Sequence, residues 1–355
     1  MKKLLVLSLL VGVSSFTAPR KTELQKITQL SGTMEEAWTP EPRDDFGKPL
    51  EPKGNRIYHG AGQRAWEFAS YWYTVGPHKP ALSKRYQHVS LEPASARLHE
   101  LPMEIRSYAP GKVILELSMS MTKDGKSQCA EIARGDYDAH LDAIADALLL
   151  FDGAPVFIRP GYEFNGFWNG YPAADYVPAW KHVRQRILKK GVRNLAWVWC
   201  WIPETDNLDW RPYYPGDDQV DWWSIDVFKK SQIEHPQCEA FLREARRRKF
   251  PVLISESAPQ LAGVADAQKA WDDFFGPYWS LMARHPNIKG FCMINRDWSL
   301  WPKYRNEWKD GRLDHNEKLY ARWRKQLTHP MLLHANDLTK PNAIHLPDTT
   351  SWTRL

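Results

Sequence analysis

Eight short apolar runs, separated by stretches of helical period, constrain this chain more than any other feature. They fall at 56–60, 80–83, 113–119, 155–159, 195–199, 220–228, 251–255 and 288–294. Helices are predicted between them at 63–73, 137–150, 174–190, 237–249 and 267–285. In the 137–150 segment Leu141, Ile144, Ala145 and Leu148 recur at helical spacing, and Gly153 and Pro155 end the pattern. Gly191 is the corresponding stop for 174–190. An apolar run without polar alternation is a strand buried on both faces, as in a parallel sheet covered by crossover helices. Eight such strands in about 250 residues is the size of a (β/α)8 TIM barrel. An open doubly wound sheet would carry a glycine-rich phosphate turn after its first strand, and His59-Gly60-Ala61-Gly62 is not such a turn. The expectation is therefore an α/β fold, one TIM-barrel domain over 55–327. A hydrophobic fraction of 43% supplies its core.

The flanking segments read differently. Met1-Lys2-Lys3 and the apolar run at 4–13 are too short to span a bilayer and have the shape of a secretory signal peptide, assigned to 1–15. The mature protein is expected to be secreted or periplasmic and free of membrane; an uncleaved anchor is the alternative. Residues 16–54, rich in proline and charge, read as an extended lead-in on the surface. Residues 328–355 lack periodicity and read as a tail packed on or near the barrel. The formal charge of +6 is dispersed, and its one tight cluster, Arg246-Arg247-Arg248-Lys249, reads as the exposed end of a helix. Nucleic acid is not an expected partner. Cys129, Cys200, Cys238 and Cys292 form no CxxC, and the histidines show no HExxH, so neither metal nor other cofactor is expected. Cys200 and Cys292 lie in apolar runs and read as buried thiols. The chain is expected to act as a monomer.

Two runs end in a glutamate: Ile158-Arg159-Pro160-Gly161-Tyr162-Glu163-Phe164-Asn165-Gly166 and Pro251-Val252-Leu253-Ile254-Ser255-Glu256-Ser257. Reactive groups of a TIM barrel sit at the C-terminal ends of its strands, so Glu163 and Glu256 are expected to face one opening. Period-two alternation places Arg159, Gly161 and Glu163 on one side of the fourth strand, and Val252, Ile254 and Glu256 on one side of the seventh. Two facing carboxyls about 5–5.5 Å apart can split a glycosidic bond with retention; about 6.5–9.5 Å leaves room for water and inversion. The alternative is a pair of solvated acids or structural ion-pair members. Tryptophan, at 18 residues, clusters beyond strand ends at Trp168, Trp199, Trp201, Trp298 and Trp301, where flat rings suit the apolar faces of sugars. The candidate substrate-binding residues are Arg159, Tyr162, Asn165, Trp168, Trp199, Phe228, Asn295 and Trp298, with a polysaccharide or oligosaccharide as partner. Each has a bland counterpart: an interior ion pair for Arg159, a chain turn for Asn165, core packing for the tryptophans. Asp217-Asp218 reads as a Pro-Gly turn and not as a calcium site, and Asp226 faces either the site or a buried partner.

The segment from Arg159 to Trp168 resembles glycoside hydrolase family 26, the β-mannanase family of the retaining (β/α)8 clan, and the likeness runs from about Ile57 to Leu327. The family's Arg-x-x-His-Glu-x-Asn-Gly motif falls here, which implies that Glu163 is the acid/base. Ile254-Ser255-Glu256 matches the family's strand-seven nucleophile, which implies that role for Glu256. The segments 213–218 and 220–222 are similar to the family's approach to strand six. Two positions depart from it. Tyr162 stands where mannanases have histidine beside the acid/base, and Phe228 where they have a tyrosine bonded to the nucleophile. The resemblance implies a retaining glycosidase acting on mannan or a related β-glycan. Alternatives are the same chemistry on another glycan such as β-1,3-xylan, or a carbohydrate-binding protein without turnover.

Overall fold

The computed structural model describes residues 42–90, 98–204 and 209–347. The expected signal peptide at 1–15 and most of the lead-in lie outside the described residues. Eight parallel strands form a closed barrel: β1 Ile57–Gly62, β2 Leu82–His88, β3 Ile114–Ser120, β4 Val156–Pro160, β5 Leu195–Trp201, β6 Trp222–Val227, β7 Val252–Ser257 and β8 Ile288–Met293. Closure is the pairing of β8 with β1, from Tyr58↔Gly290 to Ala61↔Met293. Gly60 is required there, because a Cβ would meet Cys292 Sγ at 2.6 Å and Leu82 Cβ at 2.8 Å. The TIM barrel read from the alternating runs is thus the fold.

The strand at 80–83 was underread. β2 extends to His88 and carries Lys84, Arg85 and Tyr86, charged and polar residues that mask a strand in sequence. The predicted helix at 267–285 is three pieces: Ala267–Ala270, a π turn at Trp271–Phe275, and Gly276–Arg284. The other predicted helices are present as Ala65–Thr74, Asp138–Leu149, Ala173–Lys189 and Pro236–Arg247. The last ends in the basic cluster, where Arg247 and Arg248 pair with Glu244 and Arg246 pairs with Asp44.

The barrel interior has two unlike halves. Tyr58, Leu82, Ile114, Phe157, Ala196, Trp222, Leu253 and Cys292, from the early positions of the strands, form an apolar layer. Leu50 from the lead-in and Leu333, Leu338 and Ile344 from the tail pack into it. Leu50 is fully buried, and its carbonyl accepts from Tyr58 Oη at 2.8 Å. This part of the lead-in therefore seals the barrel instead of lying on its surface. The tail adds a short strand, β9 Leu332–Leu333, parallel to the start of β1. Further along the same strands the inward residues become polar and charged: Lys84, Glu116, Ser118, Arg159, Ser224 and Asp226, all fully buried. That charged layer is the floor of the candidate site. All four cysteines are buried free thiols.

Candidate active site

The seventh strand delivers its glutamate by a local irregularity. Ser224 pairs with Leu253 and Ile225 with Ile254, but Asp226 pairs with Glu256, so Ser255 is an extra residue. Leu253 belongs to the interior layer, and Ser255 Oγ meets Ser224 Oγ at 2.7 Å inside the barrel. Strict alternation, which grouped Glu256 with Val252 and Ile254, is therefore incorrect. The bulge turns Ser255 and Glu256 inward in succession.

The fourth strand ends at Pro160, before its glutamate. Gly161 and Glu163 both adopt left-handed backbone, with φ of +55° and +48°. Glycine is the natural residue at 161, where a Cβ would collide with Met121 and Tyr176. Glu163 has no such exemption, and a left-handed non-glycine residue costs about 1–3 kcal/mol. Asn169 holds the turn by donating from Nδ2 to the carbonyls of Tyr162 at 2.9 Å and Glu163 at 3.0 Å. Alternation along β4 thus does not govern Glu163; the turn aims it.

The two carboxyls lie in opposite environments. Glu256 is 5% exposed. Burial pushes its pKa up, but Lys84, Arg159 and hydrogen bonds from Tyr86 and Arg159 outweigh this and bring it to about 2. Lys84 Nζ stands 3.3 Å from its Oε1, and Arg159 Nη2 donates to the same oxygen. Glu163 is 7% exposed, and burial, Asp226 and Glu256 together hold its pKa well above the ordinary value. Its one side-chain partner of note is Trp168, whose Nε1 donates to Oε2 at 2.7 Å. The surroundings thus favour the ionised form of Glu256 and the protonated form of Glu163, and each carboxyl lies within range of the other's charge.

Arg159 organises the floor. Its Nη1 donates to both oxygens of Asp226, at 2.9 and 2.7 Å, and its Nε to Ser118 Oγ at 2.9 Å, while Glu116 stands 3.0 Å away. Lys84 completes the lattice on Glu116 at 3.0 Å and Ser118 at 2.6 Å. Four carboxyls, Glu116, Glu163, Asp226 and Glu256, thus share two cations. Burial, against Arg159, lifts Asp226 to about 7. Arg159 is fully buried and fully engaged, so its assignment to substrate is corrected: it positions Glu256 from below.

Trp199 is corrected as well. It is fully buried on the outer side of β5, stacked on Phe164 at 4.6 Å, with its Nε1 bonded to the Tyr213 carbonyl at 3.1 Å. Asn165 and Asn295 act as clamps. Asn165 bonds both the carbonyl and the N–H of Ile202, at 2.7 and 3.0 Å. Asn295 bonds Asp314 at 2.9 Å and the Leu313 N–H at 2.7 Å. Each ties one strand end to a neighbouring segment, and its amide is committed there.

Two candidates, Tyr162 and Trp168, border the glutamates, and Phe228 and Trp298 belong to the cluster that Trp168 packs against. Tyr162, half-buried, lies over the Arg159 guanidinium at 4.8 Å and edge-on to Tyr86 at 5.4 Å. Trp168 is half-buried on Glu163. Phe228 and Trp298 form an apolar wall with Ile202, Ala258 and Ile294, backed by Trp308. Trp298 is only 7% exposed, with Arg296 over its ring at 4.6 Å.

Lys84, Tyr86 and Asn169 were missed in the sequence. Lys84 and Tyr86 share the inward face of β2 with Leu82, a period-two signal hidden by the short predicted strand. Glu116, the one charged residue in 113–119, was a readable sign of a buried charge needing a partner. Among the described residues, no group of three or more His, Cys, Asp and Glu could hold a metal ion, and no helix is long and apolar enough to cross a membrane.

Residues 118–247 match the family model described as glycosyl hydrolase family 26. A β-1,3-xylanase of a Vibrio species is 29% identical over 248 residues, 62% of this chain and 53% of that protein. A β-1,3-xylanase of an Alcaligenes species is 29% identical over 259 residues, 65% of this chain and 54% of that protein. The chain thus spans about half the length of these curated relatives. The solved family 26 β-mannanase of Bacteroides ovatus shares the fold with a TM-score of 0.58 at 18% identity, over 80% of this chain and 91% of that one.

Proposed function

We propose that this chain, whose residues 118–247 match the glycosyl hydrolase family 26 model, is a retaining glycoside hydrolase in which Glu256 is the nucleophile and Glu163 the acid/base. The observation that carries the reading is the opposed setting of the two carboxyls: Glu256 held at about 2 by Lys84 and Arg159, Glu163 held well above the ordinary value by burial and by Asp226. A nucleophile must be ionised and an acid must hold a proton at the same pH. In the first step Glu256 attacks the anomeric carbon while the Glu163 proton passes to the departing oxygen. In the second, Glu163, now ionised, takes a proton from water, which displaces Glu256 from the sugar. This double displacement requires carboxyls about 5–5.5 Å apart. The left-handed turn and the Trp168 N–H orient Glu163 for both transfers. The apolar wall of Phe228 and Trp298 shields the reacting centre.

As substrate we propose a β-linked polysaccharide, with β-1,3-xylan ahead of mannan. Two findings support that order. The Vibrio and Alcaligenes relatives are named β-1,3-xylanases. Tyr162 and Phe228 replace the two polar side chains expected of a mannanase, and a site built around a hydrogen bond discriminates more strongly than apolar contact. Purified protein incubated with β-1,3-xylan, β-1,4-xylan, mannan and β-glucans, with released sugars identified, tests the reading. Release from β-1,3-xylan at the highest kcat/KM is expected; mannan as the best substrate refutes the order, and no release from any β-glycan refutes the activity. Export to the periplasm or medium is part of the same proposal, since polymers of this kind do not enter cells.

A further inference from the structure

We propose that Tyr86 is the positioning residue of the nucleophile, fixed as a hydrogen-bond donor to Glu256 by a one-way chain from Arg296 through Gln63. The inference rests on the reading of Glu256 as nucleophile. In the family resemblance a strand-six tyrosine bonds the nucleophile, but Phe228 stands at that position and packs instead against Trp308 at 4.9 Å, beside Ile202 and Trp298. The hydroxyl arrives from another strand. Tyr86, on β2, lies beside Glu256: Lys84 Nζ is 4.3 Å from the Tyr86 ring centroid and 3.3 Å from Glu256 Oε1, and a hydrogen bond from the Tyr86 hydroxyl helps to keep the Glu256 carboxyl ionised.

The direction of each bond in the chain is forced by chemistry. Arg296 Nη1 lies 2.9 Å from Gln63 Oε1. A guanidinium has no acceptor, so the amide must present its oxygen there. Gln63 Nε2 then faces Tyr86 Oη, at 3.0 Å, and can only donate to it. The Tyr86 oxygen is thereby an acceptor for Gln63, and its own proton is left for Glu256. An ionised carboxylate has nothing to donate in return. Arg296 is itself anchored by Glu67, with Nε 3.2 Å from Oε1 and both side chains nearly inaccessible. The Tyr86 ring is held between Lys84 Nζ, 4.3 Å from its centroid, and the Tyr162 edge. The chain thus links the helix after β1, the loop after β8, and β2 to the nucleophile on β7. It stabilises the carboxylate and fixes its orientation without touching substrate.

The test is Tyr86→Phe, which keeps the ring packing and deletes only the hydroxyl, assayed on the best β-glycan of the panel. A hydrogen bond to a charged group is worth enough to shift a carboxyl by about one pH unit and a rate by about tenfold or more. The expected result is kcat at least about tenfold lower with KM unchanged, and the acid limb of the kcat/KM profile about one pH unit higher. Gln63→Leu, which frees the Tyr86 hydroxyl to rotate, should shift both in the same direction by less. A merely structural Tyr86 would leave the acid limb in place. Wild-type kcat and acid limb in Tyr86→Phe, with Glu256→Ala inactive, would overturn this proposal alone. Turnover surviving in Glu256→Ala would overturn the nucleophile assignment, and this proposal with it.

Discussion

Replacing each glutamate by its neutral isostere should change stability in opposite ways, although both substitutions should lower activity. Glu256 is held at about 2 against an ordinary 4.5. That gap corresponds to roughly 3 kcal/mol of preference for the ionised form in the folded protein. Glu256→Gln removes the charge and leaves Arg159 and Lys84 facing Glu116 and Asp226 without it. The expected cost at pH 7 is roughly 3 kcal/mol, or a Tm lower by roughly 6 °C for a domain of this size. A depressed folded-state pKa stabilises above the unfolded value and loses that contribution as pH falls through the folded value. The deficit should therefore be complete at pH 7, shrink below about 4.5 and close towards about 2. Glu163 has the opposite sign. Its folded pKa is raised, so wild-type stability declines as pH climbs from the ordinary carboxyl value towards the raised one. Glutamine mimics the protonated acid and can still accept from Trp168, so Glu163→Gln should match wild type near pH 4.5 and equal or exceed it above. Urea unfolding followed by fluorescence at several pH values measures both. Equal losses in the two variants, or full stability of Glu256→Gln at pH 7, would refute the charge assignment.

Trp168→Phe deletes the N–H that stabilises ionised Glu163. Its basic pH limb should move upward and kcat fall several-fold, as expected for loss of one hydrogen bond to a carboxyl; an unchanged pH–rate profile would contradict the contact's role. Trp298→Ala should cost about 3–5 kcal/mol in stability, because the ring is 7% exposed and packed against Trp308 and Tyr304; a loss of polymer affinity with unchanged Tm would instead make it a solvent-facing platform. The N-terminus of protein recovered from outside the cytoplasm should begin after the apolar run at 4–13, and N-terminal sequencing that finds Met1 intact would reject export by cleavage.

The barrel was legible because its strands are buried on both faces, and burial writes itself into sequence as uninterrupted apolar runs. The exception is instructive. β2 was cut short at Ser83, before the charged and polar Lys84, Arg85 and Tyr86, yet Lys84 is fully buried and pairs with Glu116 and Glu256. A buried ion pair has two halves on different strands, and neither half reveals the other locally. The two glutamates were singled out by their place at strand ends, but the alternation used to aim them fails at both. The bulge at Ser255 and the left-handed backbone at Glu163 are register and turn effects, set by neighbouring strands and by Asn169. Trp199 shows the converse: an aromatic beside a strand end signals a platform only if it faces the opening, and β5 turns it towards Phe164 and Phe241.

As the proposed nucleophile, Glu256 should form a covalent bond to the sugar. A 2-deoxy-2-fluoro glycosyl fluoride, built on the sugar the protein releases, slows the second step and allows the intermediate to accumulate. Digestion and mass spectrometry then locate the label. One glycosyl group is expected on the peptide carrying Glu256, lost on reactivation with an acceptor sugar. A label on Glu163, or none while the reagent is still turned over, would contradict that assignment.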